Sequence, residues 1–280
     1  MLKYSIEKTA LKERILSVYF GDDIYVGLGN KFINYSKGKI LCIHEKSVRN
    51  ISGNENFIGC CSYDETATVF DRNGILVDKI EGPSTEIKGI AFHENFISLT
   101  TRGKTTWILE NLEISKILED HTQDVKGCKF YEDDLYTWSY DNSLKVYQLF
   151  SLDHSWELMQ SIEFEDIVWT VLFFKGFLCA TLQNGKLIIF EKIDHQWIKA
   201  KEIKASLSPV YCGAAMGEYL GVICNRHVLM ILDSNFKKVA EIPDLNGGCD
   251  VFSISYNSVL NKLVCGSEDG TLTIVNLTLE

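Results

Sequence analysis

The chain of 280 residues has little proline, no long apolar run and no excess of positive charge. Only three prolines occur, and stretches with a helical hydrophobic period are missing, so we expect almost no helix. Nowhere do about 18 apolar residues follow one another, which gives no candidate transmembrane helix. Residues 1–7 contain no apolar core of signal-peptide length. We therefore expect a soluble, cytoplasmic protein, with entry into the nucleus left open.

The charge balance is acidic, with 38 Asp and Glu against 28 Lys and Arg. Such a balance argues against non-specific binding to nucleic acid or to an anionic membrane, because both are polyanions. It does not exclude a local basic patch. We expect neither nucleic acid nor membrane among the partners.

The nine cysteines are an odd number, and most lie in apolar, strand-like runs such as residues 177–180. This is typical of a reducing compartment in which thiols pack as small hydrophobic groups. Cys60 and Cys61 are adjacent, so on a strand they point to opposite faces. No Cys-x-x-Cys pair and no cluster of Cys and His occurs along the sequence, so the sequence predicts no metal site and no cofactor.

Internal repeats are the main signal in this chain. A Ser-x-Asp-like turn recurs seven times at intervals of 34 to 43 residues, centred on or ending at positions 30, 64, 103, 141, 184, 226 and 269. Short runs rich in β-forming residues precede these turns at 24–28, 57–61, 96–100, 135–139, 177–182, 220–224 and 263–266. Repeats of about 40 to 45 residues with four strands each are typical of propeller blades.

The sequence therefore predicts an all-β, seven-bladed β-propeller in one domain, residues 1–280. The approximate blades are 8–43, 44–81, 82–118, 119–163, 164–203, 204–243, and 244–280 together with 1–7. The last repeat supplies only three strands before the chain ends, and the strand-like run 2–7 precedes a complete repeat. We predict that this run pairs with the last blade and closes the propeller, leaving no open sheet edge.

The run 121–147 is the clearest repeat. We predict a buried polar bridge in which His121 and Asp141 meet with Ser139 between them, because a buried carboxylate must be hydrogen-bonded. Tyr147 stands six residues after Asp141, where a Trp usually closes such a blade, and it can supply a similar polar group. The same spacing recurs in blade two at His44, Ser62 and Asp64.

The turn signature resembles that of WD-repeat propellers, although no repeat ends in the Trp-Asp dipeptide. Three longer strings, 118–126 with 139–142, 101–110 and 208–212, are similar to blades four, three and six of the WD-repeat scaffold of the cytosolic iron-sulfur protein assembly (CIA) machinery. The number and order of blades agree along the whole chain. Blades one, five and seven resemble that family only loosely, and the loops here are shorter.

That family carries, in a Ser-Arg-Asp-Lys string on blade three, an arginine on the top face that is needed for function. The string here reads Thr101-Arg102-Gly103-Lys104. The resemblance thus implies the same role for Arg102, while the change from Asp to Gly103 concerns the turn geometry.

We expect the residues beside the Val that opens each blade, and the residue before each turn Asp, to point to one rim of the propeller. The predicted partner-binding residues are Arg49 and Tyr63 in blade two, Lys88 and Arg102 in blade three, Lys126 and Tyr140 in blade four, Trp169 in blade five, Tyr211 in blade six and Phe252 in blade seven. Arg, Tyr and Trp dominate binding hot spots. A plainer interpretation remains for some: Arg102 as a solvated surface residue, Trp169 as blade core, and the two tyrosines as covers for their turns.

The resemblance implies a non-enzymatic, monomeric scaffold within a hetero-complex that helps deliver iron-sulfur clusters to cytosolic and nuclear proteins. The implied partners are a small adaptor of the MIP18 type, a HEAT-repeat subunit, a hydrogenase-like iron-sulfur carrier and apo iron-sulfur client proteins. One alternative is a WD-repeat adaptor of another complex, in ubiquitin ligation, chromatin or trafficking. The other is an enzyme, which would need converging carboxylates, His or metal ligands. The acidic residues of the rim are spread across three blades with lysines beside them, which favours surface charge pairing; they are Glu86, Asp124, Asp250 and Glu268.

Overall fold

The computed structural model of the chain describes residues 3–150 and 155–278, which form 28 strands and no helix. The strands make seven four-stranded antiparallel sheets, and these are the blades of a seven-bladed β-propeller. The predicted fold class is confirmed. Within the described ranges no helix is long and apolar enough to cross a membrane.

In chain order the strands are β1 (Lys3–Ala10); β2 (Ile15–Phe20), β3 (Ile24–Leu28), β4 (Lys31–Asn34) and β5 (Lys39–Ile43) of blade one; β6 (Val48–Gly53), β7 (Phe57–Ser62), β8 (Thr66–Asp71) and β9 (Leu76–Glu81) of blade two; β10 (Ile87–His93), β11 (Phe96–Thr101), β12 (Thr106–Glu110) and β13 (Glu113–Leu118) of blade three; β14 (Val125–Tyr131), β15 (Asp134–Ser139), β16 (Ser143–Phe150) and β17 (Ser155–Glu163) of blade four; β18 (Val168–Phe174), β19 (Phe177–Leu182), β20 (Lys186–Ile193) and β21 (Gln196–Lys204) of blade five; β22 (Gly213–Met216), β23 (Tyr219–Cys224), β24 (Val228–Leu232) and β25 (Lys238–Ile242) of blade six; and β26 (Val251–Asn257), β27 (Lys262–Ser267) and β28 (Thr271–Thr278) of blade seven.

The seven runs predicted as strands are the second strands of the blades: β3, β7, β11, β15, β19, β23 and β27. These strands are buried along nearly their whole length. Their largely apolar or β-branched character, and the turn that follows each of them, explain why they are the easiest elements to find in the sequence.

The first strand, β1, is the fourth strand of blade seven. It pairs antiparallel with β28, from Lys3 opposite Thr278 to Ala10 opposite Thr271. In the next sheet, the backbone N–H of Val18 on β2 donates to Ser253 Oγ on β26 at 3.0 Å. The predicted closure by the N-terminal strand is confirmed, apart from Leu2, which lies outside the described residues.

The chain divides into two compact units. The first comprises residues 1–29, 33–40 and 169–280, and its core lies between neighbouring sheets, for example where Ile15 and Val18 of β2 pack with Val264 and Leu272 of blade seven. The second comprises residues 30–32 and 41–168. Its core includes a layer in which side chains of blades two and three meet, among them Cys61, Val69, Ile90 and Leu99.

Seven of the nine cysteines are buried, and Cys42 and Cys249 are half-buried. Burial raises the pKa of Cys179, Cys128 and Cys224 to about 12. Thiols in such surroundings stay protonated and pack as small apolar groups.

Candidate protein-interaction site

In the second unit, three of the predicted binding residues occupy β-bulges at the start of the first strand of their blade. The register of the first two strands shifts between Val48 and Asn50, between Ile87 and Gly89, and between Val125 and Gly127. The extra residue at each shift is Arg49, Lys88 or Lys126. A bulge residue has no partner opposite it, and its side chain is re-aimed relative to the pleat. The bulge therefore takes these three side chains out of the regular alternation of their strands.

The residue before each turn is held beside the bulge by the backbone. The N–H of Tyr63 donates to the carbonyl of Ser47, that of Arg102 to Glu86, and that of Tyr140 to Asp124, at 2.9 to 3.1 Å. Each acceptor precedes the bulge residue of the same blade by two positions. The start of the first strand and the end of the second therefore meet at the same end of each blade.

A side-chain network fixes this end of blade four. His121 Nδ1 lies 2.8 Å from Asp141 Oδ2, and His121 Nε2 lies 2.8 Å from Thr137 Oγ1. The hydroxyl that contacts both His121 and Asp141 belongs to Ser143, at 3.2 and 2.6 Å, so the prediction of Ser139 in this place is wrong. Ser139 instead donates to the carbonyl of Gln123 and accepts from the N–H of Asp141.

The electrostatics of Asp141 follow from these contacts. Burial by itself would raise the pKa of Asp141, but the hydrogen bonds from His121, Ser143 and the backbone N–H of Thr122 outweigh burial. They hold the pKa far below its usual value, so the carboxylate stays ionised.

Tyr147, in the place of the usual Trp, is fully buried, and its hydroxyl donates to Asp120 Oδ2 at 3.1 Å.

Blade two repeats the network with one difference. His44 Nδ1 lies 2.9 Å from Asp64 Oδ2, and Ser62 donates to the carbonyl of Lys46. Burial opposes ionisation of Asp64, but hydrogen bonds from Thr66 and the N–H of Glu45 prevail and lower the pKa of Asp64. His44 Nε2 lies 3.4 Å from the thiol of Cys60 and 3.4 Å from the hydroxyl of Thr68; at the place of Cys60, blade four has the hydroxyl of Thr137.

Blade three lacks the turn Asp, and two threonines close its turn instead. The hydroxyl oxygens of Thr101 and Thr105 lie 2.8 Å apart, and the N–H of Thr101 donates to the carbonyl of Thr105. A Cβ atom added to Gly103 would lie 2.9 Å from Thr85 Cγ2. A larger residue at this position would therefore have to displace the side chain of Thr85.

Arg102 projects from this turn into solvent. Its side chain is 60% exposed, and Nη1 lies 3.4 Å from Glu86 Oε1. An exposed ion pair of this length contributes little to stability. The guanidinium thus keeps most of its donors available for a partner.

The cationic cluster of the second unit consists of Arg49, Lys88, Asp124, Lys126 and Tyr140. Lys88 Nζ lies 2.6 Å from Asp124 Oδ2 and 5.2 Å from the ring centroid of Tyr140. Lys126 Nζ lies 4.3 Å from the same centroid and 3.2 Å from the Tyr140 hydroxyl. Tyr140 therefore contacts both lysines.

Lys126 differs from the other cations of the cluster because its side chain is buried, with the residue only 6% exposed. Burial, reinforced by the charges of Arg49 and Lys88, lowers the pKa of Lys126 to about 6. This shift makes the neutral amine more abundant at pH 7 than it is in an exposed lysine. Perturbed groups mark functional sites, although packed charge networks also produce them.

The predicted aromatic residues of the first unit contact one another. The ring centroids of Trp169 and Tyr211 lie 4.7 Å apart, edge to face, and those of Tyr211 and Phe252 lie 5.6 Å apart. All three are half-buried. Trp169 Nε1 donates to Gln183 Oε1 at 2.6 Å. We call these three rings the aromatic cluster; Phe252, like Arg49, occupies a bulge, between Val251 and Ser253.

Tyr63, the last of the predicted residues, is half-buried beside its turn in blade two.

Sequence reasoning missed two features of the second unit. One is the burial of Lys126, which depends on how the neighbouring blade packs against it. The other is the approach of Cys42, His44 and Cys60, whose ligand atoms all lie within 4.8 Å of one another. The Cys-x-His string at 42–44 is the only part of this group that the sequence displays.

No model of a known protein family matches the chain, and no curated protein matches it. The seven-bladed propeller, a fold typical of scaffold proteins, and the geometry described above are therefore the basis for a functional assignment.

Proposed function

We propose that the protein is a non-enzymatic scaffold that binds other proteins through Arg102, the cationic cluster and the aromatic cluster. The observation that carries this proposal is the position of Arg102: it is exposed on the turn of blade three, and its ion pair with Glu86 is a long one. A guanidinium can bind a carboxylate through two parallel hydrogen bonds, which gives both affinity and orientation.

Two further features of the chain support the same role. Lys88, on the bulge of the same blade, is held by Asp124, so its position is fixed before a partner arrives. Pre-ordered side chains lose less entropy on binding than free ones. Half-buried rings such as those of the aromatic cluster offer apolar area together with the Tyr211 hydroxyl, a combination that favours contact with proteins.

The finer proposal rests on the resemblance of the strings around 101–110, 118–126 and 208–212. By that resemblance the chain is the WD-repeat subunit of a CIA targeting complex in the cytoplasm. Its partners are then a MIP18-type adaptor, a HEAT-repeat subunit, the hydrogenase-like iron-sulfur carrier and apo client proteins.

A pull-down with the tagged protein tests this assignment. We expect the MIP18-type adaptor and the iron-sulfur carrier in the wild-type eluate and a reduced amount in the eluate of Arg102→Glu. The matched control is Lys79→Glu, which makes the same change of charge at a side chain of similar exposure, paired with Glu81 on an outer strand.

The alternative functions predict that other proteins are retained in the pull-down. Ubiquitin-ligase, chromatin or trafficking proteins retained by the wild type but not by Arg102→Glu would keep the scaffold role and reject the CIA assignment. Equal retention of all partners by Arg102→Glu and wild type would remove Arg102 from the site.

A further inference from the structure

A group of soft ligand atoms that the propeller framework does not require lies where β5 of blade one meets blade two. Cys42 lies on β5, His44 follows it by two residues, and Cys60 lies on β7. The Sγ atoms of the two cysteines and a ring nitrogen of His44 all lie within 4.8 Å of one another. Blade four has Glu119 and Thr137 at the places of Cys42 and Cys60, so its polar bridge forms with no thiol.

The distances match those between the ligands of a tetrahedral ion. Bond lengths of about 2.3 Å to sulfur and about 2.0 Å to nitrogen place neighbouring ligand atoms roughly 3.5 Å apart. Cys60 Sγ lies 3.4 Å from His44 Nε2. Thr68 Oγ1 lies 3.3 Å from Cys60 Sγ, 3.4 Å from Cys42 Sγ and 3.4 Å from His44 Nε2. The Thr68 hydroxyl thus lies where a fourth ligand would complete the tetrahedron with the two thiols and His44.

The tautomer of His44 suits metal binding. The carboxylate of Asp64 only accepts hydrogen bonds, so the neutral imidazole carries its proton on Nδ1, 2.9 Å from Asp64 Oδ2. The lone pair of Nε2 then faces the thiols. A carboxylate behind a ligating histidine is the usual arrangement of a second coordination sphere, because it orients the ring and raises its basicity.

Charge also favours a divalent ion here. Cys60 is fully buried, His44 is nearly so, and Cys42 is half-buried. Two thiolates neutralise a 2+ ion, so the complex buries no net charge, and the thiol protons released on binding go to solvent.

We propose that Cys42, His44 and Cys60 form a binding site for a thiophilic divalent cation, Zn²⁺, with the Thr68 hydroxyl or a water in the fourth position. Sulfur and imidazole ligands in this geometry select zinc over magnesium or calcium, which prefer oxygen. The proposal does not depend on the scaffold function, since none of its ligands belongs to the partner-binding residues.

The test uses the full chain, stripped of metal by a chelator under reducing conditions and titrated with Co²⁺ and then Zn²⁺. We expect one Co²⁺ per chain with thiolate-to-cobalt charge-transfer absorption, displaced by one equivalent of Zn²⁺. The key variant is Cys60→Thr, which introduces the residue of blade four and keeps a partner for His44. Loss of an outer-sphere partner typically weakens metal binding 10–100-fold, so loss of this ligand should weaken it by about 100-fold or more.

Two further variants complete the test. Cys42→Ser removes a half-buried ligand with little risk to folding, and it should weaken binding to a similar degree. Cys249→Ser, at the other half-buried cysteine, should bind as the wild type does. Absence of the charge-transfer band in the wild type, or its full retention in Cys60→Thr or Cys42→Ser, would overturn the proposal.

Discussion

Lys88 Nζ lies 2.6 Å from Asp124 Oδ2, so the bulge that opens blade three is tied to the residue that precedes blade four. The side chains are only 14% and 31% exposed. This pair both positions Lys88 and supplies a negative charge that acts to raise the pKa of Lys126.

Replacing Asp124 with Asn should therefore destabilise the protein. The change leaves Arg49, Lys88 and Lys126 together without their carboxylate, and the loss of a hydrogen bond between charged groups costs about 1.5–3 kcal/mol. Urea denaturation at pH 7 measures the free energy of unfolding. Glu81→Gln, which breaks the exposed pair with Lys79, is the control and should leave this free energy unchanged; an equal loss in both variants would show that Asp124 has no special role.

The low pKa of Lys126 predicts a pH dependence of stability. The pKa is about 6 in the folded state, against an ordinary value of 10.5 that also describes the unfolded chain. Between these values the unfolded chain binds more protons, so stability should rise with pH, by at most about 1.4 kcal/mol per unit. Lys126→Met removes the buried amine and should be more stable than the wild type at pH 7.

The measurement is the free energy of unfolding at pH 7 and pH 9 for the wild type, Lys126→Met and Lys116→Met. Lys116 is exposed on β13, so its variant should keep the wild-type pH dependence. A Lys126→Met variant whose stability changes with pH as much as that of the wild type would show that Lys126 is not the responsible group.

Asp141 predicts a loss of stability at acidic pH. Its pKa is lowered below the usual 3.8, so its stabilising effect is complete above that value and is lost as pH falls through the folded-state pKa. Asp141→Asn should cost about 2–4 kcal/mol at pH 7, because it breaks a buried bridge to His121. The difference from the wild type should shrink below pH 3.

Asp133→Asn serves as the comparison for this experiment, since the side chain of Asp133 is 90% exposed. We expect no change in the free energy of unfolding for this variant at neutral pH. A constant difference between Asp141→Asn and the wild type from pH 7 to pH 2.5 would mean that the bridge does not depend on the ionised carboxylate.

Much of the fold could be predicted from the sequence because each blade repeats one local pattern. The second strands are buried on both faces, so β7 and β19 are mostly apolar, and a turn follows each of them. The pairing of β1 with β28 could be predicted because the last repeat was one strand short. The position of Ser143 between His121 and Asp141 was not predicted, since the alternatives Ser139 and Ser143 flank Asp141 at equal distance.

The candidate site was harder to predict from the sequence than the fold. The residue after each opening Val could be singled out, but its exposure depends on the neighbouring blade. Arg49 is half-buried whereas Lys126 is buried, although each of them follows an opening Val. The meeting of Cys42 with Cys60 depends on the packing of β5 near β7, and the Cys-x-His string at 42–44 does not reveal which residue will approach it.

The aromatic cluster leads to a prediction about binding. Tyr211 contacts both Trp169 and Phe252, so Tyr211→Ala should loosen the packing of all three rings and weaken partner binding by about tenfold, or about 1.4 kcal/mol. Fluorescence of Trp169 should change with the same variant. Tyr4→Ala, on the outer strand β1, is the control and should bind as the wild type does; equal affinity of Tyr211→Ala and wild type would exclude the aromatic cluster from the interface.

The most direct test of the scaffold account is calorimetric titration of the purified MIP18-type adaptor into wild type, Arg102→Glu and Lys79→Glu, with the folding of each checked by thermal unfolding. We predict that Arg102→Glu raises Kd by about 30-fold or more, which corresponds to about 2 kcal/mol, because a bidentate contact with a partner carboxylate is replaced by repulsion. Lys79→Glu should leave Kd unchanged. A folded Arg102→Glu protein that binds the adaptor with wild-type affinity would contradict the account.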